Sequence, residues 1–137
     1  MSSGETIDAK NLRDETRRAE EKGGKIVITF VEIPLDSIKS TKVEIDPDIM
    51  EEITIGRAPD NMVVVPDMTV SRHHAVLSIG ERGEMILKDL SSKNGTYMMI
   101  NGAFSKIEKQ EVYDGALIKL GLYTIIKINR QPRVTPP

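Results

Sequence analysis

Glu52-Ile53-Thr54-Ile55-Gly56-Arg57, Val70-Ser71-Arg72-His73-His74-Ala75 and Ser91-Ser92-Lys93-Asn94-Gly95-Thr96 are three pieces of one stretch, residues 52–100. In each, an apolar run meets a polar turn. Alternation of Ile53 and Ile55 predicts a half-buried strand with period two, but it does not account for Gly56 and Arg57. The pieces are the polar ends of strands. Together they carry guanidinium groups, hydroxyls, an amide and glycines, an inventory suited to an oxyanion. A guanidinium grips phosphate oxygens bidentately, and hydroxyls or backbone N–H groups complete the shell. Glycines let backbone come close, and an Asn amide both donates and accepts.

Working outward, the flanking sequence repeats the strand signal. Ile26–Ile33 is β-branched, Thr41–Ile45 alternates, and Val63–Val65 is a very short strand stopped by Pro66. His74–Ile79, Glu84–Leu90, Gly95–Ile100, Phe104–Ile107, Ala116–Leu120 and Tyr123–Ile128 follow, separated by turn signals such as Asn101-Gly102 and Asp114-Gly115. Residues 25–130 thus give about ten short strands with turns every 8–12 residues, which predicts an all-β sandwich or barrel. Loops of a sandwich collect at its two ends, so one end can gather the three pieces.

Residues 1–24 form a separate zone. Ala9–Lys22 is rich in helix formers, with Asp14–Arg18 and Arg17–Glu21 at i,i+4 spacing, yet too few apolar residues for a core-facing stripe. A flexible or partly helical arm is expected there. Gln131–Pro137 holds three prolines and reads as a loose tail.

Composition narrows the function. The chain has 137 residues, 39% hydrophobic, with no Cys and no Trp, which favours one domain with an aliphatic core. Thiolate metal sites and disulfides are excluded. A formal net charge of −2 argues against bulk nucleic-acid or anionic-membrane binding. No signal peptide or spanning segment is visible, and a cytoplasmic location is expected. His73 and His74 do not read as a metal site, because neighbours in a strand face opposite ways and no Cys or acidic cluster completes a ligand set. Ser71 with His74 lacks a placed orienter and a Gly-x-Ser-x-Gly elbow, so no enzyme is expected. No cofactor is called for.

Gly56-Arg57, Ser71-Arg72-x-His74 and Asn94-Gly95-Thr96, in this order, resemble the forkhead-associated (FHA) domain over roughly residues 25–129. The resemblance implies a two-sheet β-sandwich of about eleven strands and phosphothreonine-peptide binding without catalysis. By position it implies that Arg57 and Ser71 bind phosphate, Arg72 adds charge, and Asn94 bonds the peptide main chain. Lys93 would line the pocket, while Gly56, His74 and Gly95 would shape the loops. Met68 and Thr69 would touch residues beyond the phosphothreonine. Arg72 and Lys93 also read as solvated cations. Between Thr96 and Asn101 the chain is about two residues longer than the family pattern, which implies an extended or bulged hairpin and puts peptide contact by Asn101 in doubt.

The expected function is an adaptor in Ser/Thr-kinase signalling whose partner is a phosphothreonine-containing protein. The alternative is a phosphate-independent interaction or assembly domain. Thr6, in the arm, is a candidate phosphosite, since some small bacterial members of this family bind their own N-terminal phosphothreonine.

Overall fold

A computed structural model describes residues 24–131. Its strands are β1 (Ile26–Glu32), β2 (Lys42–Ile45), β3 (Glu52–Gly56), β4 (Val63–Val64), β5 (Ala75–Ile79) and β6 (Met85–Asp89). β7 (Thr96–Ile100), β8 (Ala103–Ile107), β9 (Lys109–Val112), β10 (Ala116–Leu120) and β11 (Thr124–Arg130) complete the set. Six of them form one sheet in the order β2-β1-β11-β10-β7-β8, and five form the other in the order β4-β3-β5-β6-β9. The short β4 pairs parallel to β3. The only helical segment among the described residues is a 3-10 turn at Asp36–Ile38. The all-β sandwich of eleven strands is therefore as expected. The N-terminal arm with Thr6 lies outside the described residues, as does the tail beyond Gln131.

Alternation builds the core. Ile26, Ile28 and Phe30 of β1 face Ile53 and Ile55 of β3 and Leu77 of β5 across the interior, joined by Leu87, Ile118, Leu120, Ile126 and Ile128. All are buried, and the residues between them point to the other face as the pleat requires, Val27 among them still covered. Sequence reading placed no strand at β9. Lys109-Gln110-Glu111-Val112 has one buried apolar residue, Val112, and pairs with β6 at the edge of its sheet. Charged side chains suit an edge strand, where they oppose association with other chains.

The long hairpin is extended, not bulged. β7 and β8 pair from Thr96↔Ile107 to Ile100↔Ala103 with no shift of register. Asn101 and Gly102 close it with φ of 52° and 83°, the geometry of a tight two-residue turn. The extra residues lengthen the strands and carry Asn101 to the end of the sandwich opposite Arg57 and Asn94.

One sandwich end therefore holds the β1–β2 connection, the loops around β4, the β6–β7 loop and the β10–β11 turn. The sheets are clamped there by Asp67, which is only 3% exposed. Its Oδ2 accepts from Thr124 Oγ1 at 2.7 Å. Its Oδ1 accepts from the Thr69 backbone N at 2.8 Å and Thr69 Oγ1 at 2.7 Å. Asp67→Ala removes the acceptor and leaves the buried Thr124 hydroxyl and the Thr69 N–H without a partner. Each donor orphaned in this way costs about 1–3 kcal/mol. Urea unfolding of Asp67→Ala should show a lower midpoint with an unchanged slope; an unchanged midpoint would refute the clamp.

Candidate functional site

Arg57 follows directly on β3. Its backbone N donates to Ser71 O at 3.0 Å, and its Nε donates to Val70 O at 3.1 Å. The guanidinium is thus held by one nitrogen, and its terminal nitrogens have no partner among the described residues. The strand-to-loop crossing beside it is tight. A Cβ on Gly56 would meet Arg72 O at 2.2 Å, so any side chain there would push the two loops apart. Asn61 Nδ2 spans them, donating to Ala58 O at 2.8 Å and Arg72 O at 2.7 Å.

Ser71 is half-buried, and its Oγ accepts from the Lys93 backbone N at 3.0 Å. The hydroxyl proton remains for an acceptor from outside. Lys93 therefore contributes to the site through its main chain, which reading it as a side-chain cation missed. The Lys93 and Arg72 side chains are exposed and make no hydrogen bond or ion pair among the described residues. Asn94 Nδ2 donates to Thr69 O at 2.8 Å, while its Oδ1 has no partner among the described residues. Thr69 Oγ1 in turn accepts from Leu122 N at 3.1 Å. Loops from three parts of the chain are thereby joined: Thr69–Ser71, Lys93–Asn94 and the Gly121–Leu122 turn.

His74 lies beneath them, fully buried. Its Nδ1 accepts from Ser71 N at 3.0 Å, and its Nε2 donates to Gly95 O at 2.9 Å. These partners fix the neutral tautomer protonated at Nε2. Gly95 has φ of 87°, a conformation that glycine adopts freely, and its carbonyl also accepts from Gly121 N at 3.1 Å. Asp89 closes the arrangement, accepting from Ser92 Oγ and from Thr96 Oγ1 at 2.7 Å. Burial raises the Asp89 pKa, but the hydroxyls of Ser92 and Thr96 and the Ser92 N–H outweigh it and hold the carboxyl below its ordinary value. Sequence reading missed Asp67, Asp89, Ser92 and Asn61 as organisers of the site. The sole signal for Asp89 was its place three residues before Ser92, within reach of a local side-chain-to-backbone bond.

The structure thus brings Arg57, Ser71, Arg72, Lys93 and Asn94 to one end of the sandwich, on the scaffold of Gly56, His74 and Gly95. Met68 is 83% exposed, Leu122 50% and Tyr123 60%, and they flank the Thr69 side of this surface. No group of three or more possible metal ligands occurs among the described residues.

Burial lowers the His74 pKa from its ordinary 6.5, against smaller raising effects of Gly95 O, Asp89 and Asp67. In the unfolded chain the ring gains its proton near 6.5, whereas the folded ring resists it. The contribution of neutral His74 is therefore complete above that value and is lost as pH falls below it. The Asp89 contribution is complete above its ordinary 3.8 and is lost only as pH falls below that value. Between pH 7.5 and 5.5, brackets around the imidazole pKa, the wild-type urea midpoint should fall more than that of His74→Gln. Equal slopes would contradict the assignment.

An FHA domain family model matches residues 53–121. Over 69 residues the chain is 38% identical to an ABC transporter ATP-binding/permease protein of Mycobacterium tuberculosis, covering 50% of this chain and 7% of that protein. The chain thus spans a small part of that relative's length. Among solved structures, the FHA domain of an Arabidopsis thaliana hypothetical protein aligns with a TM-score of 0.68 at 26% identity, over 85% of this chain and 93% of that one. An FHA domain described in a structural and functional analysis of phosphothreonine-dependent interactions aligns with a TM-score of 0.62 at 25% identity, over 80% and 99%. Motif order, sandwich topology and the family match agree: the chain belongs to the FHA domain family.

Proposed function

We propose that this protein binds phosphothreonine-containing segments of partner proteins and acts as an adaptor in Ser/Thr-kinase signalling in the cytoplasm. The reading rests chiefly on one arrangement: Arg57 is tethered through Nε alone, next to a Ser71 hydroxyl that is oriented by the Lys93 N–H. This leaves guanidinium donors and one O–H donor for an oxyanion. Arg72 and Lys93 add charge at the rim, and Asn94 Oδ1 accepts from a peptide N–H. Membership of a family of interaction modules supports binding without catalysis, and a relative studied for phosphothreonine-dependent interactions supports the ligand class. No helix among the described residues is long and apolar enough to cross a membrane.

A second reading has its own observation. Exposed Met68, Leu122 and Tyr123 offer an apolar surface that needs no phosphate. On the first reading the same surface takes apolar side chains flanking the phosphothreonine. Calorimetric titration with a phosphothreonine peptide and its unphosphorylated twin separates the two, since equal affinities would leave only phosphate-independent binding.

The arm remains part of the proposal, with phosphorylated Thr6 as an internal ligand. Gly24, where the described chain begins, accepts from Arg130 Nε at the end opposite the site. An extended chain of 17 residues spans up to about 60 Å, well beyond the roughly 23 Å of a seven-residue strand. Thr6-phosphorylated protein should bind the external phosphopeptide more weakly than unmodified protein, and equal binding would remove this part of the proposal.

Arg57→Ala should weaken phosphopeptide binding by about 2–5 kcal/mol, roughly thirtyfold or more, while the fold is retained. Ser71→Ala should cost about 1.5–3 kcal/mol, the range for a hydrogen bond to a charged group. Calorimetry on both variants checks this; wild-type affinity in Arg57→Ala would overturn the assignment.

A further inference from the structure

Tyr97 stands on β7 between Thr96 and Met98, both buried, so its side chain leaves the outer face of the six-stranded sheet. From there it turns back along the strand to the β6–β7 loop. Its hydroxyl donates to Asn94 O at 3.2 Å. Its ring borders Gly95: a Cβ added at Gly95 would lie 3.0 Å from the Tyr97 hydroxyl oxygen and 3.1 Å from the ring carbons Cε2 and Cζ. Gly95 therefore serves twice. Its φ of 87° suits glycine, and its lack of a side chain lets the ring come this close. Lys119, the cross-strand partner of Tyr97 on β10, places Nζ 5.7 Å from the ring centroid, within cation–π range. The ring thus has a cation on it and backbone beside it.

The carbonyl that Tyr97 holds belongs to the Asn94–Gly95 peptide. The N–H of the same peptide donates to Ser92 Oγ at 3.0 Å. Both poles of this peptide are hydrogen-bonded, and the Asn94 Cα lies in its plane. The Asn94 side chain is pinned separately, Nδ2 donating to Thr69 O at 2.8 Å, which leaves Oδ1 for an N–H from outside. The direction of Oδ1 follows the direction of the Cα–Cβ bond, and that bond moves with the plane. Ser92 alone would fix one pole and leave the plane free to tilt; Tyr97 fixes the other. The Tyr97 bond is longer than most O–H···O bonds, so its effect is modest in size.

We propose that Tyr97 is a positioning residue that braces the Asn94–Gly95 peptide and so keeps Asn94 Oδ1 aimed at the main chain of the phosphorylated ligand. This rests on the phosphothreonine-binding reading for its ligand. Tyr97 touches no ligand in this scheme and acts through Asn94. It therefore serves the peptide main chain and not the phosphate, which meets Arg57 and Ser71.

The test sets two probes against Tyr97→Phe, which keeps the ring and removes the hydroxyl. Affinity for a phosphothreonine peptide, by calorimetry, should fall about two- to fivefold, the scale of one neutral hydrogen bond. Inorganic phosphate has no main chain and should bind wild type and Tyr97→Phe equally, in a titration followed through the Ser71 and Lys93 amides. A general loosening of the loops would weaken both probes alike, and that result overturns the proposal, as does unaltered peptide affinity. A second measurement needs no ligand. The 15N order parameter of the Gly95 amide, which reports fast backbone motion, should fall in Tyr97→Phe while that of Ser71 keeps its value. An unchanged Gly95 order parameter refutes the proposal even if the wild-type protein binds no phosphopeptide, an outcome that would separately refute the proposed function.

Discussion

The site depends on a buried imidazole with two neutral partners. His74 reaches Ser71 N on one side and Gly95 O on the other, bridging 21 residues of sequence between two loops. Neither loop could satisfy these groups alone. The Ser71 N–H has no strand partner, and the Gly95 carbonyl follows a glycine conformation that ends regular pairing. A charged ring would turn Nδ1 into a donor facing another donor. Burial therefore does two things at once: it keeps the ring neutral and keeps the loop contacts directional.

Around that centre the loops are over-determined. Asp67 ties Thr69 to Thr124, Thr69 ties Asn94 and Leu122, and Ser71 ties Lys93. Apart from the local Asp67–Thr69 bond, each joins segments distant in sequence, and the sandwich supplies the rigid strand ends that bring them together. The reward of such preorganisation is that little loop freedom is lost when a ligand arrives. The groups left over after this internal bonding are Arg57's terminal nitrogens, the Ser71 proton, Asn94 Oδ1 and two exposed cations. They are the groups that suit a phosphorylated peptide.

Much of this was legible in the sequence. Alternation of Ile53 with Ile55, and of Ala116, Ile118 and Leu120, marks strands whose inner faces are buried. Asn101-Gly102 marks a turn that closes a regular hairpin. Gly56 was legible as a residue that lets backbone come close, though not what comes close to it, the Arg72 carbonyl. β9 was not legible, because a charged edge strand with one inward side chain has no hydrophobic period. Nor was the Asp67–Thr124 bond, since its partners lie 57 residues apart and each reads locally as an ordinary turn or strand residue. The Lys93 contribution was hidden for a different reason: a backbone N–H has no residue type.

The most direct measurement is a 15N–1H correlation titration of the protein with a phosphothreonine peptide and, in parallel, its unphosphorylated twin. The phosphopeptide is expected to shift the amides of Arg57, Ser71, Lys93 and Gly95 first, leaving the Asn101–Gly102 turn at the opposite end unmoved, while the twin shifts none of them. Equal shifts from both peptides, or shifts confined to strands and turns away from these loops, would contradict phosphothreonine recognition at this site.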